Sequence, residues 1–321
     1  MNHPMNVRAW CACMLLLAAG AAAAQPYPSR PVRIIVPFAA GSATDTVARV
    51  LGQNLAEAYG QAFVIDNRAG ANGTIGAELA ARATPDGYTL LMSTNTPSAA
   101  APSLMKKINY DPVKDFAPIT RVGTIPFVLV VNPSVPAKSI RELLDLAKAQ
   151  PNKLTFGSGS AGSLVPGFML QQMGGVELTH VPYKSIPPAL TDTISGQITM
   201  AFADLVTGTP QIKAGKVRAL GVTSMKRAAL LPDVPANAET LKGYELIAWF
   251  ALFSPAGAPP DVLRRLQAEA VKILTRPEVR DRFSALGIEV STTTPAELSA
   301  FVKSEMAKWA QLAKAAGIVP E

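Results

Sequence analysis

The sequence has two cysteines in 321 residues, and both, Cys11 and Cys13, fall inside its first 24. Those 24 residues read as an export signal. Arg8 supplies the positive start, an apolar run covers Ala12–Ala24, and Ala22-x-Ala24 is an acceptable cleavage site. The run has the length of a signal core and is too short to span a bilayer. The mature chain, from about Gln25, is therefore expected to lack cysteine, which excludes disulfides and thiolate chemistry. Histidine is nearly as scarce: of two, only His180 lies beyond the signal. A zinc site would need carboxylates almost alone, and a serine hydrolase would have one candidate base. No G-x-S-x-G elbow and no G-x-x-x-x-G-K-[ST] phosphate loop occurs. Beyond the signal, apolar runs such as Ile247–Phe253 are only strand-length, so no further span is expected and the mature protein reads as soluble. No metal, cofactor or catalytic residue is assigned.

Charge is modest. Thirty Lys and Arg oppose 23 Asp and Glu, for a net +7; the signal removes Arg8 and no acid, leaving +6. The cations are scattered, and no basic run is interleaved with aromatics, so a nucleic-acid partner is not expected. A mildly basic surface favours anionic ligands.

What is present is alternation. Strands are expected at 32–36, 63–66, 88–92, 127–132, 153–156, 178–183, 198–202, 217–223 and 246–254. Helices are expected at 44–58, 75–83, 139–149, 164–173, 187–195, 209–214, 260–275 and 295–315. Residues 93–97 and 157–163 read as loops, and 106–119 as a long surface connection. This pattern implies an α/β fold with a mostly parallel sheet covered on both faces. The two apolar strands 127–131 and 246–254 bracket the middle third, as crossovers between two lobes would. Small-ligand sites favour such interfaces and the carboxyl ends of parallel strands.

Five segments at strand ends have the residue types to hold an anion. In Pro37–Asp45, Gly41 permits a tight turn and Ser42 or Thr44 can cap the next helix, leaving N–H groups and the helix dipole for a carboxylate. Ala69–Thr74 opens another helix, and Asn72 and its glycines tolerate positive φ. Gly157–Ser163 matches G-x-G-x-x-G; it can be a dinucleotide loop, a carboxylate-binding loop or a plain turn. A dinucleotide also needs an acidic residue for its ribose at the end of the next strand, and that stretch reads His180-Val181-Pro182-Tyr183-Lys184. In Val181–Ser185, Tyr183 offers a ring or hydroxyl and Lys184 a charge. Asp204, ending Phe202-Ala203-Asp204, can accept from a ligand or cap a helix.

In their order, these segments resemble the Bug, or TctC-like, family of periplasmic solute-binding proteins of tripartite tricarboxylate transporters. The matching stretches include Pro37-Phe38…Gly41…Asp45…Ala48-Arg49, Asn67–Gly73, Pro85-Asp86-Gly87-Tyr88, His180–Lys184, Ile212–Lys216 and Leu231–Pro235. The resemblance implies a two-lobed, flytrap-like periplasmic-binding-protein fold of type II character, with two crossover strands and a ligand cleft. Lobe 1 would comprise 25–126 plus 247–321, and lobe 2 would comprise 127–246. One jaw would contain Phe38, Gly41, Ser42, Thr44, Asp45, Gly73, Thr74, Thr94 and Asn95. The other would contain Ser158, Gly159, Ser163, Lys184, Ser185 and Asp204, with Tyr183 facing Phe38 across a flat ligand.

Three departures from the common pattern fall where the ligand would touch: Ser42 for a second glycine, Ser185 for a glycine, and Ala203 before Asp204 where an aspartate often follows Phe202. Ligand identity therefore does not carry over from relatives. The expected function is a non-enzymatic, monomeric periplasmic receptor that passes a small organic acid to membrane transporter subunits. A ligand-sensing module of a signalling system and an exported enzyme acting on an organic acid are the alternatives.

Overall fold

The computed structural model describes residues 27–320, so the expected signal and its cleavage point lie outside the described residues. The first strand, β1 (Val32–Val36), is apolar and buried along nearly its whole length, as a strand covered on both faces must be. It pairs in parallel with β2 (Phe63–Asn67) and β3 (Thr89–Thr94). A second parallel set is formed by β5 (Thr155–Ser158), β6 (Thr179–Pro182) and β7 (Met200–Asp204). Two long antiparallel strands join the sets: β4 (Phe116–Val131) and β9 (Ile247–Pro255). The resulting order is β2-β1-β3-β9-β4-β7-β5-β6, with β8 (Arg218–Val222) and β10 (Glu289–Val290) pairing to β4.

β4 belongs to both halves. Phe116–Pro126 pair with β9, while Phe127–Val131 pair with β7 and β8. Its first four residues were expected to end a surface connection over 106–119, and 120–126 were assigned to no strand. Pro118, Arg121 and Gly123 break the apolar run there, and the register against β9 shifts twice, between Pro118 and Thr120 and between Arg121 and Gly123. Such irregularities erase the alternation that a sequence pattern needs.

Where the halves meet, buried Thr223 ties the two long strands together. Its hydroxyl accepts from the Phe127 N–H at 2.8 Å and donates to the Leu246 carbonyl at 2.6 Å. Its backbone bonds to the same two residues.

Helices cover both faces: α1 (Ala43–Tyr59), α2 (Thr74–Ala81), α3 (Ala101–Leu104), α4 (Ile140–Ala149), α5 (Ala161–Gly174), α6 (Ile186–Ser195), α7 (Leu205–Lys213), α8 (Pro260–Leu274), α9 (Pro277–Ser284) and α10 (Pro295–Ala315). Three differ from expectation. A π-helical turn, Thr96–Ala100, runs into α3 where a polar loop was expected. α7 starts four residues early, because Asp204 caps it directly at the end of β7. α9 was not foreseen.

The consequence for function is positional. β1, β3, β5, β6 and β7 each end at a turn that opens a helical segment. Their carboxyl ends therefore gather helix N-termini near the middle of the sheet, where open α/β folds hold ligands.

Candidate functional site

A small cavity of about 30 Å³ lies at these strand ends, bounded by β1, β3 and β9 on one side and β7 and the starts of α5 and α6 on the other. Its polar lining is Ser42, Thr44, Thr94, Asn95, Thr96, Ser160, Ser185 and Asp204, and Phe38, Ile125, Phe127, Ile186 and Phe250 are among its apolar lining. A larger groove of about 850 Å³ runs beside Leu205, Leu230, Arg280 and Gly287, but none of the expected site residues lines it. The chemistry favours the small cavity, because unsatisfied polar groups face it.

Two such groups stand out. Asn95 and Ser185 are each about 1 % exposed. The Asn95 amide nitrogen and the Ser185 hydroxyl have no hydrogen-bond partner within the protein. A buried donor left unpaired costs roughly 1–3 kcal/mol, so each position is poorly explained by folding alone. A ligand in the cavity could supply each with a partner.

The local folding that places them is readable residue by residue. Ser42 is the N-cap of α1, its hydroxyl accepting from the Asp45 N–H at 3.2 Å. Gly41 takes φ +81°, and its N–H donates to the Asp45 carboxylate. Asp45 also accepts from Arg49 and Asn67, and the Asn67 amide donates as well to the Phe38 carbonyl. Burial alone would raise the Asp45 pKa, but the bonds from Arg49, Gly41 and Asn67 outweigh it and hold it below the usual carboxylate value. Asp45 thus fixes the Phe38–Thr44 turn and does not itself line the cavity.

Gly73 and Thr74 support the same turn from behind. Four consecutive residues, Gly70–Gly73, have positive φ, and a side chain at Gly73 would meet the Phe38 ring at 3.2 Å. The Thr74 hydroxyl donates to the Ala71 carbonyl. Neither residue lines the cavity.

In the second half, the expected loop 157–163 is mostly strand and helix. Gly159 and Gly162 are required by close approach. A Cβ at Gly159 would sit 2.1 Å from the Ser185 carbonyl carbon, and one at Gly162 would sit 2.4 Å from the Phe127 ring. The G-x-G-x-x-G spacing therefore records packing, with Gly159 pressing the Ser185 turn into place. Ser163 accepts from the Gly159 and Ser160 N–H groups at 3.0 and 3.1 Å, securing the start of α5. Ser158 Oγ lies 2.7 Å from His180 Nε2, beside the Phe156 ring. Ser158, Gly159 and Ser163 stand behind the lining, and so does the Ser158–His180 pair.

Two expected contacts belong elsewhere. Lys184 is exposed and does not line the cavity. The Tyr183 hydroxyl donates to Asp192 at 2.6 Å, and burial with that bond pushes its pKa up to about 12. Neither faces Phe38. No Lys or Arg lines the cavity at all. An anion placed there would be met by neutral donors and by helix N-termini, which carry about half a positive charge each.

Asp204 is the one ionisable group in the lining. One carboxylate oxygen accepts from the Thr207 N–H at 2.9 Å and the Thr207 hydroxyl at 3.0 Å, capping α7. Its burial pushes the pKa above the ordinary value, and the bonds from Thr207 offset this only in part.

Thr96, Ser160, Phe127, Ile186 and Phe250 were not foreseen. Thr96 could have been found from its place beside Asn95, had the helical turn that begins there been recognised. Phe127 and Phe250 sit on β4 and β9, where their apolar neighbours made them read as core. The Thr96 hydroxyl oxygen accepts from the Ala161 N–H at 3.1 Å, bridging the two halves across the cavity.

Among the described residues, no cluster of His, Cys, Asp or Glu is arranged to hold a metal, and no helix is long and apolar enough to cross a membrane.

Comparison with known proteins gives a consistent result. The chain is 35 % identical to Protein BugT of Bordetella pertussis, with 95 % of each chain covered. It is 37 % identical to a protein of a Pseudomonas strain encoded between tcbD and tcbE, covering 89 % of this chain and 86 % of that one. Among solved structures it is similar to the periplasmic binding protein BugD, at TM-score 0.88 and 37 % identity, over 92 % of this chain and all of that one. Rpa4515 of R. palustris, solved with adipate, matches at TM-score 0.89 and 34 % identity, again over 92 % of this chain and all of the other. MatC of Rhodopseudomonas palustris, solved with bound malate, matches at TM-score 0.84 and 32 % identity, over 89 % and 99 % of the two chains. Residues 47–318 match the tripartite tricarboxylate transporter family receptor, TctC. The chain is a member of the TctC family of solute-binding receptors.

Proposed function

We propose that this protein is a periplasmic receptor that closes on a small organic carboxylate and delivers it to the membrane subunits of a tripartite tricarboxylate transporter. The observation that carries the reading is the pair of buried, unpartnered polar groups, Asn95 Nδ2 and Ser185 Oγ, on opposite sides of one cavity. Helix N-termini surround them, and no cation competes for the ligand. Adipate and malate in two similar structures are both carboxylates, which fits that lining. The export signal expected at residues 1–24 fits that location.

The proposed mechanism is a hinge between two lobes. Lobe 1, residues 25–126 with 247–321, and lobe 2, residues 127–246, are joined by β4 and β9. The ligand binds one lobe first. Rotation about the joining strands then brings Ser185 and Asp204 against Asn95 and Thr44. A few hydrogen bonds to a charged ligand, at about 1.5–3 kcal/mol each, are enough for micromolar affinity of roughly −8 kcal/mol after the cost of association.

The test is a thermal-shift screen of the mature chain, residues 25–321, against organic acids, amino acids, sugars and nucleotides. A carboxylate at a hundred times its dissociation constant stabilises by about 2.7 kcal/mol and raises the midpoint by several degrees. Shifts with sugars or nucleotides only would overturn the reading.

A further inference from the structure

The polar lining is divided by sign. Asn95, at the end of β3, presents an unpartnered donor, and Ser185, before α6, an unpartnered hydroxyl. Asp204, at the end of β7, presents a carboxyl. Asn95 follows β3 in one half of the sheet, and Ser185 and Asp204 come from β6 and β7 in the other, so a molecule in the cavity meets the acid as well as both unpartnered groups.

Asp204 is 3 % exposed, and no Lys or Arg shares the cavity. One of its oxygens serves the α7 cap through Thr207. A cap does not require an acid: asparagine and serine cap helices as well. Full burial of a carboxyl beside an anion site is costly unless a donor meets it. A simple diacid, ionised at both ends, has no donor to offer this acid.

We propose that the ligand presents an O–H or N–H donor to Asp204 while Asn95 and Ser185 take its carboxylate. The preferred ligands are then hydroxy or amino carboxylic acids, not simple diacids. This rests on the carboxylate-receptor reading and sharpens it.

The test is titration calorimetry of the mature chain with matched sets: succinate, malate and aspartate; propionate, lactate and alanine; adipate and 2-aminoadipate; benzoate and 4-hydroxybenzoate. In at least one set, the donor-bearing member binds tenfold or more tighter than its plain parent. A preference for the hydroxyl or the amine member identifies which donor is used. Asp204→Asn keeps an oxygen for Thr207, and its melting without ligand checks the fold. In that variant the preference shrinks to threefold or less. Parents that bind as tightly as their donor-bearing partners overturn the inference and leave the receptor reading standing. So does a preference that survives Asp204→Asn. Silence across every carboxylate overturns both.

Discussion

The Thr96 hydroxyl oxygen and the Ala161 N–H are 3.1 Å apart, a single hydrogen bond joining the end of β3 to the N-terminus of α5. Both residues are buried. Thr96→Val keeps the shape, removes the acceptor and leaves the Ala161 N–H unpaired in the closed form. The closed form should lose about 1–3 kcal/mol. Ligand affinity then falls about five- to a hundredfold in calorimetry. A variant that binds like the wild type would show that the bond contributes nothing to closure.

Asn95→Ala and Ser185→Ala separate function from folding. Each removes a buried polar atom that has no protein partner, so stability without ligand should be unchanged or slightly higher. Affinity for the best carboxylate should drop by about 1.5–3 kcal/mol per variant, the worth of a hydrogen bond to a charged group. Paired urea melts and titrations check this. Equal losses in both would mean the groups act structurally.

Asp204 makes stability depend on pH in a defined sense. Burial raises its folded pKa above the ordinary value of 3.8. The folded state therefore holds this proton more tightly than the unfolded chain does. Its favourable contribution is complete below pH 3.8 and is lost as pH rises through the folded value. Asp204→Asn removes that loss. Without ligand, the variant should be more stable than the wild type at pH 7, with the margin narrowing toward pH 3.5. Urea unfolding at the two pH values checks it, and a constant margin would contradict it.

Glu305 is a third buried acid, after Asp45 and Asp204, with a different role. One of its oxygens accepts from both Trp249 Nε1 and Trp309 Nε1, at 2.9 and 3.1 Å, and the other pairs with Lys308. Glu305→Ala strands two indole N–H groups and should cost about 2–5 kcal/mol, read by urea unfolding. Glu305→Gln keeps the acceptor and should cost less. Trp249 sits between Ala248 and Phe250, both in the cavity lining. The alanine variant should therefore also weaken binding.

Much of the fold was legible because β1, β3 and β9 are apolar runs and α1 and α4 carry clear helical spacing with Ser42 and Ser139 as caps. The first half of β4 was not, because register shifts at Pro118 and Arg121 break its alternation. The site divides in the same way. Phe38, Ser42, Thr44, Thr94, Asn95, Ser185 and Asp204 line the cavity, and their positions at strand ends were readable. Gly41, Asp45, Gly73, Thr74, Ser158, Gly159 and Ser163 brace that lining from behind. A sequence shows which residue types suit a turn, but only packing shows which side of the turn faces the ligand. Lys184 drew attention through its charge, yet it is exposed and lies outside this lining.

Thr223 binds Phe127, in β4, and Leu246, next to the start of β9, so both chain crossings between the halves share one anchor. If the halves rotate as proposed, the two crossings would turn together, like a door on a common pin.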